Sequence, residues 1–195
     1  MGRTIISNNC SGVRLLQDFN LRYDSPTIAL QIMPEEFTKF CQNLKWYMEQ
    51  EITEYKDFSD EHKQYFANMY GGGIDYVCGL CGDVAIVFQH YDSWEDAKTK
   101  WDRRKARLDY SNLAYIFCLD NPRYVKEAQD FCNANIPNSY IFTRDFDIEG
   151  KHYRYHVPEV NPYNPDRPYC FLDKDRPNHY FFEGEFERGT LWQNS

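Results

Sequence analysis

The sequence contains no apolar run near the roughly 20 residues that a bilayer-spanning helix requires, so membrane insertion is not expected. Its first residues, Met-Gly-Arg-Thr-Ile-Ile-Ser, lack the apolar segment of a secretory signal. Ile6 also stands where an N-myristoylation motif wants Ser or Thr, and a cytoplasmic protein is expected. Positive charge is scarce. The 22 Lys and Arg against 30 Asp and Glu leave a net charge of −8, which repels a phosphate backbone and argues against nucleic acid as a partner. With 10 glycines and 9 prolines, neither a collagen-like nor a low-complexity chain fits. Neither GxxxxGK[ST] nor GxGxxG occurs, so the common phosphate-cradling loops are missing. Cys78-Gly-Leu-Cys81 lacks the second CxxC of a zinc ribbon, and it does not open a helix as a thioredoxin-type pair would.

What is present suits one soluble core. A chain of 195 residues that is 42% hydrophobic can bury enough surface to fold without disulfides or metal. Aromatic content is high at 17%, from packing or from surfaces that stack on a ligand. Seven cysteines, odd in number and scattered in spacing, point to reduced thiols.

Strand and helix patterns alternate over residues 1–145. Strands are expected at 3–7, 27–33, 74–80, 84–90, 113–119 and, more weakly, 140–143 and 152–157. The pair at 74–80 and 84–90 flanks Cys81-Gly82-Asp83, a hairpin signal. Helices are expected after Gly12, from Pro34, from Ser93 and from Asn121-Pro122, with 51–73 a helix fragment followed by a loop. This order predicts an α/β fold: a mainly parallel, Rossmann-like three-layer sandwich with a central β-hairpin. Residues 1–157 form the α/β domain, and 158–195 form a Pro-rich linker and extended aromatic C-terminal tail packing on it. Ligands of such sheets bind beyond the carboxyl ends of the strands, which directs attention to Asn8–Gly12, Gln89–Ser93 and Asp120–Pro122.

Asn8-Asn9-Cys10-Ser11-Gly12 carries two amides that can orient a polar ligand, a glycine that permits close approach, and a thiol at a helix start, where thiolate is favoured. An Asn-rich turn with a buried thiol stays open beside this. His90, at a strand end beside Tyr91 and Asp92, suits acid–base work or simple local hydrogen bonding. His152 and His156 share a strand face, but nothing completes a metal-ligand set, and no metal or resident cofactor is expected. Lys98, Lys100, Arg103, Arg104, Lys105 and Arg107 make six basic residues in ten beside the apolar stripe of Trp94, Ala97, Trp101 and Leu108. That flank either holds a phosphate or docks onto the acidic remainder of the chain.

The blocks Thr4-Ile-Ile-Ser-Asn-Asn-Cys-Ser-Gly12, Ser25-Pro-Thr27, Pro34-Glu-Glu-Phe37, Gly82-Asp-Val84, His90-Tyr91 and Ala97-Lys-Thr-Lys-Trp-Asp-Arg-Arg104 resemble a bacterial family of unknown function found in capsular and exopolysaccharide loci. The resemblance spans roughly residues 3–135 and implies an α/β fold and a role in surface-polysaccharide assembly. The Asn-Asn-Cys loop is also similar to the Gly-Asn-Cys loop of capsule proteins related to the SGNH hydrolases, which implies acyl or glycosyl transfer to a sugar. The expectation is a transferase-like protein with Cys10 and His90 catalytic, His90 as general base. Asn8, Asn9, Gly12, Asp83, Arg103, Arg104 and Asp120 would bind the substrate, a sugar or phosphate-bearing small molecule, with a nucleotide-sugar or acyl-CoA as co-substrate. The rival expectation is a non-catalytic binding or regulatory module of the same pathway. Thiol titration of freshly purified, denatured, unreduced protein should find nearly all seven thiols reactive; recovering one or three would mean disulfides.

Overall fold

Two four-stranded sheets, one parallel and one antiparallel, organise the chain. The computed structural model describes residues 4–18 and 22–155; the proline-rich segment from Pro158, the aromatic tail, His156 and Cys170 lie outside the described residues. In the first sheet β1 (Thr4–Ser7), β6 (Leu113–Leu119), β7 (Ser139–Arg144) and β8 (Tyr153–Tyr155) lie in that order and all run parallel. The second holds β2 (Gln31–Ile32), β5 (Val84–Phe88), β4 (Val77–Cys81) and β3 (Ile52–Glu54), each antiparallel to its neighbour.

The fold is thus mixed α/β, but it is not one mainly parallel sheet. The expected hairpin does form, around Gly82 at φ +61°. It seeds its own sheet because both edges of β5 are taken, by β4 and β2, while β1 pairs across the intervening chain with β6. The strand expected over 27–33 shrinks to two residues for local reasons. The Ser7 N–H is taken by the Thr27 hydroxyl (3.0 Å) rather than by a strand carbonyl, and Ala29 sits at φ +60°, which breaks extended backbone. β3 was not expected, since Ile52 is its one buried residue in a polar stretch.

Helices cover the sheets. α1 (Ser11–Asp18) and the segment around Ile28 pack on the β6 face that carries Ala114, Ile116 and Cys118. The opposite face, Tyr115, Phe117 and Leu119, meets the main core, where Phe37 of α2 (Pro34–Gln42) and Phe131 of α6 (Val125–Asn133) lie 5.0 and 4.9 Å from the Phe117 ring. This two-sided burial explains the unalternated apolar run of β6. The helix expected to continue from Pro34 breaks at Asn43, and α3 (Leu44–Glu49) follows. α4 (Asp60–Tyr70) starts at a Ser59 cap, ends at Gly71 (φ +76°), and through Phe66 covers Cys78, Ala85 and Val87 of the second sheet together with Met33, which follows β2.

α5 (Trp94–Lys105) begins at the expected cap, with the Ser93 hydroxyl accepting from the Asp96 N–H. Trp101 is fully buried against Phe88, while Trp94 is half-buried. The basic flank is largely spent within the protein. Lys98 pairs with Asp102 (2.8 Å) and Lys100 with Asp96 (2.7 Å). Arg104 is buried, donating to the Ile28 carbonyl (3.2 Å) and to the Tyr91 hydroxyl, and Arg107 donates to the Tyr23 carbonyl (2.8 Å) beside Asp24. Arg103 is exposed.

A second polar anchor joins α2, α4 and β5. Glu36 is 2% exposed, yet its carboxylate accepts from the Ala85 N–H (3.0 Å) and pairs with His62 (3.1 Å) and Lys39 (3.2 Å). Burial pulls the His62 pKa down, but the Glu36 carboxylate and the Tyr55 hydroxyl (2.8 Å from Nδ1) outweigh it and lift the value to about 9. Since the ordinary value is 6.5, the stabilisation is complete below about pH 6.5 and is lost as pH rises through about 9. Denaturation in steps from pH 6 to 10 should show this decline in the wild type and its absence in His62→Ala, which should cost about 3 kcal/mol at pH 6 by leaving a buried carboxylate short of a partner. In the same assay Arg104→Ala should cost about 2–3 kcal/mol through lost charged hydrogen bonds, whereas Arg103→Ala should change stability by less than about 0.5 kcal/mol. Equal effects of the two arginines would contradict the clamp.

Candidate functional site

The loop after β1 closes onto the end of β6. The Asn8 amide donates to the Cys118 carbonyl (3.1 Å) and its oxygen accepts from the Cys118 N–H (2.9 Å). Asn9 donates to the same carbonyl (3.0 Å) and accepts from the Ser11 N–H (3.0 Å), which caps the start of α1. The Asn8 carbonyl then accepts from the Ile32 N–H (2.8 Å), joining β1 to β2 and so the first sheet to the second. Both asparagine side chains therefore bond backbone and hold the loop.

Gly12 has an equally local role. A Cβ there would lie 3.0 Å from the Ser7 Cβ and 3.2 Å from the Ile5 Cγ2, and closer still to the Ser7 hydroxyl, which itself donates to the Asn9 carbonyl (2.8 Å). Glycine lets the first turn of α1 rest on β1.

These contacts leave Cys10 at the helix start, half-buried. Its thiol donates to Gln89 Oε1 (3.7 Å), and the Gln89 amide donates to the Tyr70 hydroxyl (3.1 Å). Burial raises the Tyr70 pKa, so the phenol keeps its proton. His90 follows Gln89 directly and is exposed, with no hydrogen bond to the described residues. Asp120, also exposed, directly follows β6. The carboxyl edge of the first sheet thus brings Asn8, Asn9, Cys10, Gly12 and Asp120 together, and the end of β5 adds Gln89 and His90.

Other expected residues lie elsewhere. Asp83 is in the hairpin turn at the opposite end of β5 from Gln89, roughly 20 Å away at about 3.3 Å per residue. There it accepts from the Tyr47 hydroxyl (2.7 Å) and Lys39 (3.1 Å), which hold its pKa below the ordinary value. Arg104 is behind Tyr91, committed to the 22–30 segment. Cys78 and Cys81 are both buried in β4, and burial pushes their pKa values up to about 12 and about 11, the opposite of a reactive pair. No disulfide joins any two of the six described cysteines. His152 sits by Asp147 (3.3 Å).

Sequence reading pointed to the loop that begins at Gln89 without giving that residue a role, and it missed Tyr70, which carries no motif and is marked only by its position at the end of a helix. Glu35 lies in the first turn of α2, and one of its carboxylate oxygens is buried. Two clefts of about 560 and 580 Å³ open away from this edge, at the amino ends of β6 and β7 and beside β8. The first is lined by Tyr110, Tyr115 and buried Cys41, whose pKa burial raises, so neither nucleophile nor base is ready there.

Among known proteins, an uncharacterized protein of Haemophilus influenzae is 32% identical over 143 residues, 73% of this chain and 62% of that protein, so this chain spans less than two thirds of that relative's length. Residues 2–157 match a family described as a domain of unknown function, DUF1919, and that span contains every strand and helix described above. The chain belongs to the DUF1919 family.

Proposed function

We propose that this protein is transferase-like and acts on a sugar or activated sugar in capsular or exopolysaccharide biosynthesis, by acyl or glycosyl transfer in the cytoplasm. One observation carries the reading: a thiol at a helix start, on the carboxyl edge of a parallel sheet, held to Gln89 with Tyr70 fixing that amide. The helix-flanked first sheet also suits a Rossmann-like origin, and the Asn-Asn-Cys block resembles loops from polysaccharide loci.

In the acyl-transfer form, His90 takes the Cys10 thiol proton as the sulfur attacks the donor carbonyl; the thioester forms, the bond to the donor's own thiolate or alkoxide breaks, and His90 returns the proton to that leaving group. A sugar hydroxyl then attacks the thioester, His90 takes the hydroxyl proton, and the Cys10 thiolate leaves. Gln89 orients the thiol. Arg103, exposed, is the arginine of the basic flank left for donor phosphate, since Arg104 is committed.

A second reading, a docking module of the same pathway, is favoured by Trp46, which is 50% exposed. Thermal denaturation with nucleotide-sugars and acyl-CoAs distinguishes the two. A true donor at 100 times its Kd adds about 2.7 kcal/mol, and intact-mass analysis after incubation with it should show an adduct on wild type and none on Cys10→Ser. No shift with either class and no adduct would contradict the transferase.

A further inference from the structure

Tyr55 lies one residue past β3, with its own N–H on the Cys78 carbonyl (2.9 Å) and its ring edge-on to Phe58 (5.0 Å between centroids). Its hydroxyl meets two groups. His62 Nδ1 is 2.8 Å away, and the Ser59 N–H donates to the phenol oxygen, also at 2.8 Å. On the far side of the imidazole, Nε2 meets Glu36 Oε1 at 3.1 Å, and the other Glu36 oxygen accepts from the Ala85 N–H (3.0 Å). A carboxylate can only accept, so Nε2 carries a proton, and in the neutral imidazole Nδ1 is left to take the phenol's. Phenol, imidazole and carboxylate thus stand in the order that activates a hydroxyl nucleophile, each oriented by the next.

The relay runs from the interior to the surface. Glu36 and His62 are 2% and 6% exposed, whereas Tyr55 is half-buried and Ser59 exposed. The His62 ring stacks on Phe66 (6.2 Å) and meets the Tyr65 ring (6.0 Å), whose hydroxyl is taken by Glu61 (2.6 Å). With Lys39, 3.2 Å from Glu36, these are the charged and titratable groups packed around the relay. When the phenol proton passes to Nδ1, the oxygen keeps two N–H donors, from His62 and from Ser59, the cap residue at the positive end of α4. Burial works against a charged phenol, but the bonds to His62 and to the Ser59 N–H outweigh it and set Tyr55 below the ordinary tyrosine value. The Glu36–His62 pair already joins α2 to α4 without Tyr55, which adds an activated oxygen at the surface.

Charge around Tyr55 selects the electrophile. Residues 51–63 hold five carboxylates, at Glu51, Glu54, Asp57, Asp60 and Glu61, against Lys56 and Lys63, which pair with Glu54 (2.9 Å) and Asp60 (3.2 Å). A phosphate-bearing donor is repelled there. We propose that Tyr55 is a modification site, a nucleophilic phenol that takes an acyl group from an uncharged, activated acyl donor. His62 takes the phenol proton as the oxygen attacks the donor carbonyl; the ester forms, the bond to the donor's leaving group breaks, and His62 gives that group the proton. The assignment goes beyond the transferase reading, uses neither Cys10 nor His90, and stands without it.

The test uses the full chain and N-acetylimidazole, an uncharged acetyl donor. Peptide mapping reads each tyrosine separately from Cys10, so failure here is distinct from failure of the transferase reading. Under limiting reagent Tyr55 should be acetylated roughly tenfold or more faster than Tyr76 and Tyr110, well inside what a placed general base contributes. Those two are the more exposed tyrosines, at 46% and 47%. The Tyr55 rate should also level off at a lower pH than that of Tyr110, whose value burial raises. In His62→Gln the Tyr55 rate should fall to that of Tyr110, while Tyr110 keeps its own. The comparisons within the wild type hold the proposal to account even if His62→Gln misfolds. Equal acetylation of Tyr55, Tyr76 and Tyr110, or a fast Tyr55 in folded His62→Gln, would overturn it. Stronger selectivity for Tyr55 with acetyl phosphate, an anionic donor of the same group, would overturn the donor class.

Discussion

The side chain of Asn8 is the joint on which the rest of the molecule depends. It bonds both backbone groups of Cys118, while the Asn8 backbone carbonyl separately takes the N–H of Ile32. Asn8 is 1% exposed, so a side chain without an acceptor would take a buried partner from the Cys118 N–H, whereas the Cys118 carbonyl keeps Asn9. Three consequences follow from this one residue. β1 stays in register with β6 past its last paired residue, the second sheet is fastened to the first, and the chain turns so that Cys10 emerges at the start of α1. Gly12 and Asn9 then fix the turn from the helix side.

Adjacent carboxylates show how differently burial can be handled in one helix turn. Glu36 has a backbone N–H, an imidazole and an ammonium group, and it ties α2 to α4 and to the hairpin. Glu35, one residue earlier, faces α6 with one oxygen unmatched. The first is a structural tie of the kind folds retain once every lone pair is satisfied. The second has no such closure.

Legibility in the sequence followed the range of the interactions. The Ser93 cap, the Gly82 hairpin turn, the doubly buried β6 and the Asn121-Pro122 helix start are all written in windows of a few residues, and all were readable. The division into two sheets was not, because it depends on β1 choosing β6 across more than a hundred residues instead of β2 nearby. β2 itself was overestimated because Thr27 looks strand-compatible while its hydroxyl serves the Ser7 N–H and bonds the Ser25 hydroxyl. At the β1 loop the amides were read toward a ligand, and the structure shows them bonded to Cys118, about 110 positions away. For Arg104 a clamp onto the rest of the chain was one of two readings, but its partners were not legible, since Ile28 and Tyr91 become its neighbours only after folding. The loop that begins at Gln89 was marked by its place after a strand, but the contact of Gln89 with Cys10 exists only after folding, as does the burial of one Glu35 oxygen.

The functional reading therefore rests on how firmly the β1 loop is held, since a thiol on a loose turn would have no fixed relation to Gln89, His90 or the end of β6. Hydrogen exchange at the Cys118 amide, followed with denaturation in wild type and Asn8→Ala, tests that most directly. The account predicts that this amide is as protected as its β6 neighbours in the wild type. In Asn8→Ala it should lose that protection, with a fall in stability of about 2 kcal/mol, the cost of a stranded buried N–H. Unchanged protection at Cys118 together with unchanged stability would contradict it.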